Sequence, residues 1–382
     1  MADYINVNKE VLIWTRKLSR LSLEDASKRS KINEEELRKL ESGDKRPNLK
    51  ELNSLSKAYN KSLATLLLYT PLKDKPLPKD RRTVNSEQSG IFDPKTIQVV
   101  EKARALLYSF IELKEELSLP ITSFSYRASL SNAPTEIAKN LRKEWKLDEI
   151  KELQSINLAL EGFIEITENL GVVIFQMPLT KDNLRGFSIV DEKLPIIVIK
   201  RGNEPPTAKI FTLFHEVGHI LLQESGICDI RIHNQKQEIE KWCNAFAAEI
   251  LVPSEVLLQN NIVKKYMSIG DKEWTSADLI EIGNLFFVGR LVILRKLYEL
   301  DLTTKDYYEE KHNAWNKPSF GRAKEPKGRD IPREIVYERG KTFISLAFRA
   351  FEQNKINLKE LSDYLGAKLG YIPKIRQHLY EF

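Results

Sequence analysis

The chain has 382 residues, 42% of them hydrophobic, and a formal net charge of +6, which suits an ordinary globular protein of two or three packed domains. No apolar run approaches the roughly twenty residues of a membrane span, and Met1-Ala2-Asp3-Tyr4 opens neither the basic nor the apolar region of a secretory leader. Only Cys228 and Cys243 are present, too few for a disulfide framework, so a cytoplasmic protein without membrane association is expected.

The charge is uneven. Residues 1–83 hold 19 Lys and Arg against 12 Asp and Glu, while the rest of the chain holds 41 against 42. Such local excess suggests a nucleic-acid surface, although surplus lysines also serve solubility. The same region reads as helices at Val11 to Leu18, Leu23 to Ser27, Asn33 to Leu40, Leu49 to Tyr59 and Leu63 to Leu68, joined by brief turns. A five-helix domain over residues 1–70 is therefore expected, its second and third helices spaced as in a helix-turn-helix. Ala26, Ile32-Asn33, Leu37, Leu40-Glu41-Ser42-Gly43 and Arg46-Pro47-Asn48-Leu49 resemble the phage-repressor-like (XRE or Cro-type) helix-turn-helix family. Leu23 stands where that family usually has glutamine, and Ser30 replaces the turn glycine. The recognition helix opens with Glu34-Glu35-Glu36, which face phosphate unfavourably unless they point away. Arg38, Lys39, Lys45 and Arg46 are the contact candidates, with protein pairing as the alternative use of the same domain.

Pro71, Pro76 and Pro78 among charged residues mark 71–95 as a linker. Helices follow over Thr96 to Leu117, Pro134 to Trp145 and Leu153 to Leu170. From Gly171 the period changes: Val172 to Phe175, Gly186 to Val190 and Ile196 to Ile199 read as three antiparallel strands. Glu204-Pro205-Pro206-Thr207 then restarts a helix, with proline where a first turn tolerates it. The overall class is multidomain and mainly α, with a small antiparallel sheet in a central α+β region.

The helix after Pro206 carries His215-Glu216-Val217-Gly218-His219, the HExxH zinc-peptidase signature. Two histidines four positions apart differ by about 40° around a helix, so both imidazoles can grip one ion. Glu216 is the candidate general base. A catalytic zinc usually has a third protein ligand. The helix over Gln237 to Leu251 offers Glu238, Glu240 and Glu249. Glu240 shares a face with Asn244, Ala247 and Ala248, whereas Glu238 and Glu249 fall about 160° to 180° away and are expected in solvent. The expected set is His215, His219 and Glu240 around one Zn2+, with Cys243 read as packing rather than ligating. His233, expected in a loop, and Asn244 are candidates for an oxyanion or supporting role.

Arg185-Gly186-Phe187-Ser188-Ile189, then Phe211 to Leu222, then Glu240 with Asn244 to Pro253 resemble the ImmA/IrrE family of metallopeptidases over roughly residues 130–300. Trp242-Cys243 stands where the family often has Glu-Ala, and Gly289 where serine is common. The resemblance implies a zinc endopeptidase over 96–302 that cuts a helix-turn-helix repressor or antitoxin-like partner, and such families combine with repressor-like domains. The implied partners are that protein or a toxin, and operator DNA; a homodimer is compatible. The rival is a non-proteolytic regulator or antitoxin that clamps a toxin through a structural zinc site. Residues 303–330 read as a linker or loop. Residues 331–382 read as a helical packing module, although Asn357 to Gly366 also has a helix-turn-helix look.

Overall fold

The structure, a computed structural model, describes residues 4–19, 21–59, 61–71, 94–153, 155–179, 184–191, 193–202, 204–223, 232–315 and 329–380. It divides into two compact units, Met1–Pro76 and Leu77–Phe382.

In the first unit, α1 (Lys9–Leu18), α2 (Leu23–Ser30), α3 (Glu34–Ser42), α4 (Leu49–Tyr59) and the short α5 (Leu63–Leu66) enclose Leu12, Ala26, Leu37, Leu40, Leu52 and Leu55. Caps set these helices. Asn8, Ser22 and Asn33 accept from the backbone amides of Glu10, Asp25 and Glu35. Asn48 and Glu51 exchange side-chain to backbone bonds of 2.8 and 2.9 Å at the start of α4. The turn after α2 places Lys31 at φ 58°, and Gly43 at φ 86° closes α3. Arg16 of α1 grips Glu41 of α3 through two bonds of 2.7 and 2.9 Å, and Glu41 is buried.

In the second unit, α6 (Pro94–Glu116), α7 (Pro134–Glu144) and α8 (Ile156–Asn169) precede β1 (Val173–Met177), β2 (Gly186–Ile189) and β3 (Ile196–Lys200). The order in the sheet is β1-β3-β2: β2 runs antiparallel to β3, but β1 pairs parallel with it, Val173 opposite Ile196 and Met177 opposite Lys200. The sheet is therefore mixed rather than antiparallel throughout, because β2 and β3 form the antiparallel neighbours while β1 takes the far side of β3. Its strands are apolar without alternation because both faces are covered. Ile174, Ile197 and Ile199 face a core shared with α9 (Pro206–Leu221) and α10 (Ile232–Leu251). Val173, Phe175, Ile196 and Val198 face the opposite core.

The chain continues through α11 (Ser254–Gln259), α12 (Asn261–Ile269), α13 (Ser276–Leu285), α14 (Arg290–Glu299) and α15 (Lys305–Trp315). The last of these lies inside the stretch expected to be a linker. Its aromatic residues hold it: Tyr307 donates to the Trp274 carbonyl, and the Arg290 guanidinium stacks 4.0 Å from the Trp315 ring. Finally α16 (Ile331–Arg339), α17 (Lys341–Glu352), α18 (Leu358–Leu365) and α19 (Ile372–Tyr380) follow. Asn357 and Glu360 form a capping box at α18, and Gly366 ends it at φ 56°. These helices share with α6 the core on the far face of the sheet. No described helix is long and apolar enough to cross a membrane.

Candidate metal centre

Both histidines of the motif lie on α9, which starts at Pro206 and carries eleven buried residues from Ile210 to Leu221. α10 crosses it closely. A side chain at Gly218 would meet the Cα, Cβ and Sγ of Cys243 at 3.2 Å, so glycine lets the two backbones approach. The crossing brings Glu240 onto the histidines. His215 Nε2 and His219 Nε2 lie 3.2 Å apart, Glu240 Oε2 lies 3.3 Å from the former, and Oε1 lies 3.4 Å from the latter. Tetrahedral zinc with bonds near 2.0 to 2.1 Å sets its ligand atoms about 3.3 Å apart.

The outer ring nitrogens are held as well. Asn244 Oδ1 lies 3.1 Å from His215 Nδ1, and Cys243 Sγ lies 3.4 Å from His219 Nδ1. With the proton of His215 on Nδ1, its Nε2 turns a lone pair inward. Glu240 Oε1 is buried without a properly directed hydrogen bond among the described residues. Burial works to raise the pKa of this carboxyl, but contact with His215 and His219 and their charge outweigh it, holding Glu240 well below the usual carboxylate range. With neutral imidazoles, the two Nε2 lone pairs and the carboxylate converge on one buried space and can share a cation there. His215, His219 and Glu240 are thus a group able to hold a metal ion, and no other such cluster occurs among the described residues.

Glu216 is buried beside them on α9. Its Cγ lies 3.7 Å from the position of a side chain on Gly186, at the start of edge strand β2. A side chain there would also strike Thr212 and the Val198 carbonyl, so glycine brings the sheet edge against Glu216.

Of the remaining candidates, Asn244 points its oxygen at the outer nitrogen of His215, which suits the supporting role. His233 falls in the first turn of α10 and not in a loop; its side chain lies outside the described part of the molecule. So does Cys228. Glu249, expected in solvent, is buried: it meets Lys296 Nζ at 2.6 Å and accepts from the Ser254 amide and hydroxyl at 3.0 and 2.6 Å. Helical phase put it opposite Glu240 correctly, but that opposite side is covered by α14.

On α3, Arg38 pairs with Glu34 at 2.6 Å and Lys39 with Glu35 at 2.8 Å. Lys45 meets Glu51 at 2.7 Å and Glu36 at 3.3 Å. Arg46 is exposed and forms no ion pair among the described residues.

Residues 167–298, from the end of α8 through α14, match the family model described as IrrE N-terminal-like domain, a peptidase family, and residues 12–66 match the model described as Helix-turn-helix. This is the fusion that the motifs resemble. No curated protein gives a significant match. The IrrE-like segment contains β1 to β3, both metal-centre helices and every residue of the centre just described. The helix-turn-helix segment contains α2, α3 and all four candidate cations.

Proposed function

We propose that the second unit is a zinc-dependent endopeptidase and that the first directs it to a protein target, a repressor or an antitoxin-like partner whose cleavage switches an operon. The observation that carries this reading is the convergence of His215 Nε2, His219 Nε2 and the Glu240 carboxylate at 3.2 to 3.4 Å, directly beside Glu216. Zinc held there supplies a Lewis acid that polarises a peptide carbonyl and acidifies water. Asn244 holds the His215 ring by its outer nitrogen. Glu216 accepts the proton of the attacking water and returns it to the leaving amide nitrogen, a contribution of about 100- to 10,000-fold. A site with only a structural ion has no use for that base.

The first unit supports two ways of reaching the target. The helix-turn-helix match favours operator DNA. The internal pairing of Arg38, Lys39 and Lys45 favours recognition of a helical protein partner.

The test is co-expression with the proteins encoded beside this chain, comparing wild type with Glu216→Ala. Wild type is expected to convert one partner to two fragments, and Glu216→Ala to leave it intact while retaining one zinc per chain. Intact partners with both forms, together with equal neutralisation of a toxin, would replace the peptidase by the clamp.

A further inference from the structure

Two consecutive residues of α10 stand behind the two histidines, and they differ in kind. Asn244 reaches the outer nitrogen of His215 with a strong acceptor, a carbonyl oxygen at 3.1 Å. Cys243 reaches that of His219 with sulfur at 3.4 Å, an ordinary separation for a hydrogen bond to a weak acceptor. Relative to Glu240, positions 243 and 244 fall at about 300° and 40° around the helix, so all three face α9. The sulfur sits in a closely packed crossing. At the helix crossing Cys243 is fully buried, and the site of a Gly218 side chain lies only 3.2 Å from its Cα, Cβ and Sγ. A buried cysteine is most often simple packing. Here its polar atom meets the one ring nitrogen of His219 that must carry the proton if Nε2 is to offer a lone pair to a cation.

We propose that Cys243 is a positioning residue that fixes the orientation and tautomer of His219, as Asn244 does for His215. The inference rests on the zinc reading above and deepens it. One helix then supplies a carboxylate to the metal and the outer partner of each imidazole. The two imidazoles are held unequally, His219 by the weaker acceptor.

The experiment uses the full chain, with zinc affinity measured by chelator competition and the His219 tautomer read by nitrogen NMR on zinc-free protein. Cys243→Ala is expected to weaken zinc binding about 10- to 100-fold, the usual effect of removing such an outer partner. It should also shift the His219 proton from Nδ1 towards Nε2. Cys243→Ser, which restores a polar atom, is expected to recover part of the affinity and of the tautomer, a rescue that a purely packing role would not give. Cobalt(II) in place of zinc should show altered visible bands in the alanine variant and near-native bands in the serine variant. Two results would overturn the proposal: Cys243→Ala binding zinc within twofold of wild type with an unchanged tautomer, or folded serine and alanine variants equally impaired. Failure of the wild-type chain to bind zinc would overturn the zinc reading along with it, whereas stoichiometric wild-type zinc with an indifferent Cys243 sinks this inference alone.

Discussion

α10 and α3 are both rich in glutamate, and the same side chain does different work on each. On α10, Glu240 and Glu249 leave the helix on opposite sides and both end in covered places, one against two imidazoles and one against Lys296. On α3, Glu34 and Glu35 turn back to cations one helical turn later on the open surface, and only Glu41 is buried, against Arg16. An exposed pair of that spacing stabilises a helix by about 0.3 to 0.5 kcal/mol and yields readily to another ion. A buried pair does not yield, because losing either partner leaves a charge in a poorly solvated place. Burial, more than sequence neighbours, separates a carboxylate that fixes structure from one that tunes a surface.

The sharpest way to break that comparison is on α10 itself. Glu249→Gln leaves Lys296, itself 2% exposed, without its closest counter-charge and is expected to cost about 3 to 5 kcal/mol in denaturant unfolding. Glu238→Gln, at an exposed position of the same helix, should stay within about 0.5 kcal/mol. Equal effects would refute the distinction.

A carboxylate with no ion pair among the described residues sharpens it further. Glu168 of α8 accepts from the Thr342 hydroxyl, and burial pushes its carboxyl up to about 7, against the lowering effect of that hydrogen bond and with a further rise from Glu165. Between the ordinary value of 4.5 and about 7, the folded chain keeps a proton that the unfolded chain has released. Stability therefore falls as pH rises through that window. The full shift corresponds to about 3 kcal/mol, and partial solvent access reduces the expectation to about 2 kcal/mol. Glu168→Gln should match wild type at pH 4.5 and exceed it by about that amount at pH 8. Parallel pH profiles for the two proteins would show that Glu168 is well solvated.

These differences explain what the sequence made legible. The convergence of His215 and His219 follows from a spacing of four on a helix, and Glu240 from its phase on the next helix, because a regular helix fixes direction around its axis. Phase could not say what lay beyond each face. Glu249 shares a helix with Glu240, but its partner Lys296 arrives on α14, so its burial depends on a packing that no local pattern encodes. The strands were legible as apolar β-branched runs, yet their pairing was not: Ile196 to Ile199 reads the same beside a parallel or an antiparallel neighbour. Likewise Tyr307, Tyr308 and Trp315 sit in a polar stretch that looks like linker until α14 offers Arg290 and a core to pack on. Cys243 left a faint signal, a polar-capable residue three positions after Glu240 and on the same face.

A modest change in stability is expected on α3, where the functional consequence is most informative. Replacing Glu34, Glu35 and Glu36 together by glutamine removes the partners of Arg38 and Lys39 and one of the two partners of Lys45. At about 0.3 to 0.5 kcal/mol per exposed pair, the domain should lose little more than 1 kcal/mol in thermal unfolding. The freed cations and the lower negative charge act in the same direction on a phosphate backbone. Binding to duplex DNA, followed by anisotropy at low and moderate salt, should tighten several-fold and depend more steeply on salt, since each added phosphate contact releases counterions. If the triple variant binds DNA no better than wild type, these cations do not face phosphate, and the surface belongs to protein recognition. Arg46→Ala then separates the cases: it should weaken DNA binding and flatten the salt slope if this exposed arginine is a backbone contact, and leave both unchanged if α3 and its flanking turn face a helical partner.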